Sequence, residues 1–341
     1  MREPAFWYRP RSFKSHALRP LGALYGAIAE RRMLRKGFDA GIPVICVGNY
    51  HVGGAGKTPT VLALTNLLRE LGETPVVLSR GYGGSLKGPV MVDRERHAAS
   101  DVGDEPLMMS RDVPVSVARD RLDGVALAKS QGATVVLMDD GFQNPKLLKD
   151  ASLIVIDSQR GLGNGKVFPA GPLRAPLKPQ LARTDALVVI GDGHAADDVA
   201  TELARRNKPA LRARLKPDAA SLAQLFGKRV FAFAGIGDPE RFFRTLRASA
   251  IDVVKNRAFA DHYPYSERDI EDLWDDARRD GLTLVTTEKD LARIHGGDGM
   301  LPYVEGIAPF KVTLEFDDPD ALRRLISDHL YKARERRFSR R

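Results

Sequence analysis

Residues Val44 to Val47 form an apolar run, Gly48 to Gly56 form a glycine-rich stretch closed by Lys57 and Thr58, and Val61, Leu64, Leu68 and Leu71 then recur at helical spacing. A chain with this order places a buried strand, a tight loop and a helix in succession. The glycines let the loop backbone curl so that its N–H groups converge at the positive end of the following helix, a point suited to an anion. His51, Val52, Gly53, Gly54, Ala55 and Gly56 are therefore expected to cradle the phosphates of a nucleotide such as ATP. Lys57 reaches its β and γ phosphates, and the Thr58 hydroxyl ligates Mg2+. Pro59 fits the first helical turn, where N–H groups lack intrahelical partners anyway. His51 occupies the place of the first glycine in the general G-x-x-x-x-G-K-[ST] pattern, so the start of the loop departs from it.

Around this unit, strand-like runs alternate with helical patterns: Ile42 to Val47, Pro75 to Leu78, Val135 to Met138, Leu153 to Ile156 and Ala186 to Ile190. That alternation predicts an α/β fold of the P-loop NTPase type, a mainly parallel sheet with helices on both faces. After Leu215 the pattern restarts, with Arg229 to Ala234 and Thr283 to Thr286 as strands and Gly235 to Glu240 as a turn into a helix. The expected division is a basic N-terminal segment over 1–38, a nucleotide-binding unit over 39–220 and a second, smaller α/β unit over 221–341.

The chain has 341 residues and a net charge of +9, and its basic residues gather at the two ends, up to Lys36 and from Lys332 to Arg341. Anionic lipid, nucleic acid or a phosphorylated substrate would suit that placement. Phe6, Trp7 and Tyr8 precede Leu21, Leu24, Tyr25 and Ile28 at helical spacing, with Arg31, Arg32, Arg35 and Lys36 behind them. Such a segment can lie in a membrane interface or pack on the protein's own core. No cleavable signal pattern and no run long enough to span a bilayer is present, so the expectation is a cytoplasmic protein, on or off a membrane surface. The single cysteine, Cys46, excludes an internal disulfide and points to a reducing compartment.

Two carboxylates, Asp139 and Asp140, end the apolar run from Val135 and face the crevice at the carboxyl end of a parallel strand. Either can serve a metal beside the phosphate loop; adjacent strand residues point opposite ways, so one of them is expected to be the close partner. In Gly103-Asp104-Glu105-Pro106, Asp104 is a candidate to accept a hydroxyl proton, although an Asp capping a helix would look the same. His262 lies in the turn Asp261-His262-Tyr263-Pro264-Tyr265 of the second unit, where a histidine can tune a carboxylate across the two units or be merely structural.

The phosphate loop, Ser79-Arg80-Gly81-Tyr82-Gly83-Gly84, Gly103 to Pro106, Asp139 to Gln143, Gly163-Asn164-Gly165, Pro169 to Arg174 and Asp261 to Pro264, in this order, resemble the tetraacyldisaccharide 4'-kinase family, the lipid A kinases of Gram-negative bacteria. The resemblance implies a peripheral enzyme at the cytoplasmic face of the inner membrane. With ATP and Mg2+ it phosphorylates the 4'-hydroxyl of a tetraacylated glucosamine disaccharide 1-phosphate. It implies that the N-terminal helix meets the membrane and its anionic lipids, and that Asp104 and His262 form a catalytic dyad with Lys57. Asp139 and Asp140 line the metal site, and Asn49, Ser79, Arg80, Tyr82, Glu105, Gln143 and Arg174 line the nucleotide and acceptor cleft. The family also lacks the first loop glycine, which accounts for His51. Two positions depart from its pattern: Ala175 stands where Glu is usual, and Asn144 where His is frequent. Neither a guanine-selective N-K-x-D segment nor a nucleic-acid-binding module is evident, which disfavours a nucleotide switch and a nucleic-acid ATPase. No obligate protein partner is implied.

Overall fold

The computed structural model describes residues 3–9, 12–54, 56–295 and 304–339. Ala55 of the phosphate loop, Arg2, Arg11, Arg340 and Arg341 lie outside that set. A nine-stranded sheet is built from β1 (Val44–Gly48), β2 (Pro75–Ser79), β3 (Val90–Met91), β4 (Val115–Val117), β5 (Val135–Asp139), β6 (Ala151–Asp157), β7 (Ala186–Ile190), β8 (Ala210–Pro217) and β13 (Val312–Phe316). Their order is β13-β8-β7-β6-β1-β5-β2-β4-β3. Only the outermost pairs, β13 with β8 and β3 with β4, run antiparallel.

Strand alternation explains how this sheet is covered on both faces. Ile45 and Val47 of β1 point into one apolar layer with Leu64 and Leu68 of the helix Lys57–Glu70 and Leu322, Ile326 and Leu330 of the helix Pro319–Phe338. Val44 and Cys46 point into the opposite layer with Met33, Val125, Leu181, Val199 and Leu203. A second sheet, all parallel, contains β9 (Arg229–Ala234), β10 (Asp252–Ala258), β11 (Thr283–Thr287) and β12 (Ala308–Phe310) in the order β10-β9-β11-β12. Phe231 and Phe233 face the helix Glu267–Asp280, and Val230 and Ala232 face the helix Pro239–Ala248. Sequence chemistry delimits the former helix: Ser266 and Asp269 form a reciprocal capping box, and Gly281 ends it at a left-handed φ of 62°.

Two features differ from the sequence expectation. The chain does not remain in the second unit after Phe310: β13 pairs with β8, and the basic C-terminal helix lies on the first sheet. The stretch expected as one smaller unit over 221–341 therefore ends near Phe310, because Leu314 and Phe316 find their apolar cover on the larger sheet. Secondly, Trp7 is buried, with its indole N–H donating to Pro169 O at 3.1 Å, so it is not available as a headgroup-level aromatic. The helix Arg19–Met33 packs instead through small residues. A Cβ at Gly22 would lie 2.9 Å from Val167 O, so only glycine permits that approach. Leu21, Leu24, Tyr25 and Ile28 all point outward and are exposed. Among the described residues no helix is long and apolar enough to cross a membrane.

Candidate active site

β1 ends under the centre of the large sheet, between β5 and β6, and delivers the loop that precedes the helix Lys57–Glu70. Gly56 turns the chain into that helix at φ 92°, and a Cβ there would meet Ile190 Cδ1 at 2.5 Å. Asn49 Nδ2 donates to Gly53 O (2.9 Å), and the Val52 N–H donates to Pro172 O (2.9 Å). Gln143 Nε2 donates to Asn49 O at 2.8 Å and to Gln180 Oε1 at 2.9 Å, so this amide braces the loop from beneath. His51 is buried, and that burial pushes its imidazole pKa down to about 4. The ring is neutral near pH 7, and Nδ1, 3.1 Å from Val52 O, must be the protonated nitrogen.

Asp139 and Asp140 have opposite environments at the end of β5. Burial favours the protonated form of Asp140, but the Lys57 and Arg174 charges outweigh it and hold the carboxyl down at about 2. Arg174 Nη1 donates to Asp140 Oδ1 at 2.7 Å, while its Nε donates to His51 O at 3.0 Å, tying carboxylate and loop together. Lys57 Nζ lies 3.9 Å from the same Asp140 oxygen. Asp139 is buried, and its Oδ1 has no hydrogen-bond partner. Burial, then the charges of Glu105 and Asp140, push its pKa up to about 7. Two adjacent carboxylates, one with an orphaned oxygen, at the strand end beside Lys57 fit a hard divalent cation that also binds phosphate oxygens and water. Ala175 is fully buried and its carbonyl accepts from Gln180 Nε2 at 2.8 Å, so the carboxylate usual in the family would have to be desolvated here. Asn144 Oδ1 accepts the Lys146 N–H at 2.8 Å and so completes a turn.

Asp104 begins the helix Asp104–Met109, after Gly103, whose φ of 94° and approach to Tyr82 O exclude a side chain. The carboxylate is only 5 % exposed, yet three cationic or polar groups from the second unit converge on its Oδ2. His262 Nδ1 lies at 3.0 Å, Arg293 Nε at 2.9 Å and Lys289 Nζ at 3.8 Å. Burial raises the proton affinity of Asp104, but the His262 hydrogen bond and the Lys289 and Arg293 charges more than reverse it, leaving the carboxyl well below its usual range. His262 is itself held at φ 56°, with its N–H donating to Gly235 O at 3.0 Å and the Tyr82 ring edge-on at 5.5 Å. Lys289 also binds Glu105 Oε1 at 3.0 Å, and Glu105 is the group whose charge acts on Asp139. The nucleotide half and the Asp104 half are thus electrostatically joined.

The structure therefore brings together the loop, Lys57, Asp139, Asp140, Arg174 and Gln143 on one side, and Asp104, Glu105, His262 and Tyr82 on the other. Ser79 is buried at the end of β2, where its carbonyl accepts the Ala118 N–H at 3.1 Å, and Arg80 after it is exposed. Sequence reasoning missed Arg293 and gave Lys289 no role. The available signal was their i, i+4 spacing, which puts both cations on one face of the helix Glu288–His295.

A phosphate loop at the carboxyl edge of a parallel sheet, in one chain with an ionised carboxylate that a second unit clamps, defines a phosphotransferase of the P-loop class. Residues 14–331 match the family model for tetraacyldisaccharide-1-P 4'-kinase, and the chain belongs to that family. It is 80% identical to the tetraacyldisaccharide 4'-kinase of Bradyrhizobium diazoefficiens over 341 residues, covering all of both chains. With the enzyme of that name from Nitrobacter winogradskyi it shares 65% identity over 334 residues, 98% of this chain and 99% of the other. Its fold is similar to the crystal structure of LpxK from Aquifex aeolicus in complex with ATP. The TM-score is 0.73 at 28% identity, and the match covers 93% of this chain and 99% of that one.

Proposed function

We propose that this chain transfers the γ-phosphoryl group of ATP to the 4'-hydroxyl of a tetraacylated glucosamine disaccharide 1-phosphate, giving the bisphosphorylated lipid A precursor. The observation that carries the reading is Asp104: a buried carboxylate kept ionised by groups from the other unit. The loop amides and Lys57 bind and orient the triphosphate. Mg2+, when bound, neutralises phosphate charge and would be held by Thr58 with Asp139 or Asp140. Arg174, through Asp140 and the His51 carbonyl, fixes the loop against that carboxylate. The Asp104–His262 pair orients the acceptor hydroxyl and takes its proton as the new O–P bond forms and the bond to the β-phosphate bridging oxygen breaks, releasing ADP.

The acceptor is a lipid, and the exposed Leu21, Leu24, Tyr25 and Ile28 support docking of the N-terminal helix at the cytoplasmic face of the inner membrane. Arg31, Arg32, Arg35 and Lys36 would then face anionic headgroups. The test is transfer of labelled γ-phosphate to the tetraacyl disaccharide monophosphate in detergent micelles. Wild type should give labelled bisphosphate. Asp104→Ala should lower kcat by roughly 10²- to 10³-fold with little change in KM for ATP, whereas Lys57→Ala should weaken ATP use as well. Release of label only as free phosphate, indifferent to the lipid, would replace this reading with a nucleotide-hydrolysing switch.

A further inference from the structure

Arg293 spans two carboxylates belonging to different units. Its side chain is about nine-tenths buried; Nε donates to Asp104 Oδ2 at 2.9 Å, and Nη1 donates to Asp290 Oδ1 at 2.9 Å. Asp290 is fully buried and is itself fixed by the Gly235 N–H (3.0 Å), the Tyr265 hydroxyl (2.9 Å) and the Thr287 hydroxyl (2.6 Å). The guanidinium is therefore anchored in the core of the second unit, between the ends of β9 and β11, and projects one donor into the first. At Asp104 the two oxygens become unequal. Oδ2 faces His262, Arg293 and Lys289, while Oδ1 accepts a single described hydrogen bond, from the Glu105 N–H at 2.9 Å.

We infer that Arg293 is a positioning residue for phosphoryl transfer: by saturating Oδ2 of Asp104 from the second unit, it leaves Oδ1 as the oxygen that receives the acceptor hydroxyl. This rests on the reading of Asp104 as the group that engages the acceptor. A planar fork is needed, because one point charge cannot hold Asp104 and Asp290 at hydrogen-bond distance in two fixed directions. Lys289, one turn earlier on the same helix, cannot replace it. Its Nζ is 3.8 Å from Asp104 and is shared with Glu105 (3.0 Å) and His262 Nε2 (3.4 Å). The charged groups facing Asp104 are thus His262, Lys289 and Arg293, with Glu105 and Asp261 behind them.

The experiment is a double-mutant cycle in the labelled-phosphate assay with the full chain: Arg293→Gln, Arg293→Lys, Asp104→Asn and Arg293→Gln combined with Asp104→Asn. Loss of one charge-assisted hydrogen bond to the reacting carboxylate should lower kcat roughly 10- to 100-fold in Arg293→Gln, with KM for ATP within about twofold. Its acidic limb in the pH–rate profile should move upward, since Asp104 then protonates more easily. Arg293→Lys should regain only part of the rate, and guanidinium ion should rescue Arg293→Gln. In the Asp104→Asn background the Arg293→Gln change should have no further effect. Equal fold losses in both backgrounds, tracking a fall in Tm, would mean that Arg293 only stabilises the fold and would overturn the inference, as would wild-type kcat in Arg293→Gln. Wild-type turnover in Asp104→Asn would instead sink the reading of the site itself.

Discussion

Replacing Asp139 with Asn removes a carboxyl whose ionisation is opposed first by burial and then by two neighbouring carboxylates. Asp139 is 3 % exposed, Oδ1 is unpartnered, and burial together with Glu105 and Asp140 moves its pKa from 3.8 to about 7. A carboxyl whose pKa is raised on folding contributes stability that is complete below pH 3.8 and lost as the pH rises through about 7. At about 1.4 kcal/mol per pH unit, the wild-type chain should lose roughly 2–3 kcal/mol between pH 5 and pH 8 on this account alone. An Asn does not titrate, so Asp139→Asn escapes that loss, whatever constant offset its own packing adds. Thermal melts of both proteins in metal-free buffer across this range give the assay. The Tm difference, variant minus wild type, should grow by about 3–4 °C from pH 5 to pH 8. Millimolar Mg2+ with a non-hydrolysable ATP analogue should shrink that growth, because the cation favours the ionised carboxylate in the wild type only. A difference that stays constant with pH would refute the argument that burial and its carboxylate neighbours raise the proton affinity of Asp139.

Gly56→Ala should reduce ATP-dependent turnover at least tenfold with a melt lowered by only a few degrees, measured as kcat/KM for ATP, since φ of 92° and Ile190 Cδ1 at 2.5 Å leave the added methyl no place without moving the loop. Leu24→Glu with Ile28→Glu should leave Tm within about 1 °C, because both side chains are exposed, and should lower co-sedimentation with vesicles of anionic phospholipid severalfold. Unchanged sedimentation would separate the helix from any lipid contact.

What could be read from the sequence was local. The phosphate loop declared itself because strand, glycines, Lys57, Thr58 and helix are consecutive, and Asp139 and Asp140 because they end a strand in the same sheet. Asp104 and His262 are 158 positions apart, and no periodicity connects them; only the ordered set of family motifs did. Arg293 was invisible for a related reason: an Arg three residues after an Asp on a short helix reads as an ordinary surface pair. Its burial depends on the first unit packing over it. Trp7 was left open between two places because an aromatic among basic residues suits a headgroup region as well as a pocket; its indole N–H found a carbonyl at Pro169. The alternation of Val312, Leu314 and Phe316 with Thr313 and Glu315 marks a half-covered strand, but does not say which sheet receives it.

That last pairing has a mechanical consequence. The chain leaves the large sheet at Pro217 and comes back at Val312, and these two residues are partners across β8 and β13, with the Asp218 N–H donating to Lys311 O at 2.9 Å just beyond. The unit carrying His262, Lys289 and Arg293 is joined along the chain to the first through this ribbon, its pivot, and is held against it by ion pairs such as Arg293–Asp104 (2.9 Å) and Arg241–Asp157 (2.7 Å). A ribbon resists stretching and shear through its ladder but yields to bending and twist, which keeps the clamp over Asp104 at the high local concentration of a short tether. Insertions placed within that unit would lengthen its loops without loosening the pivot.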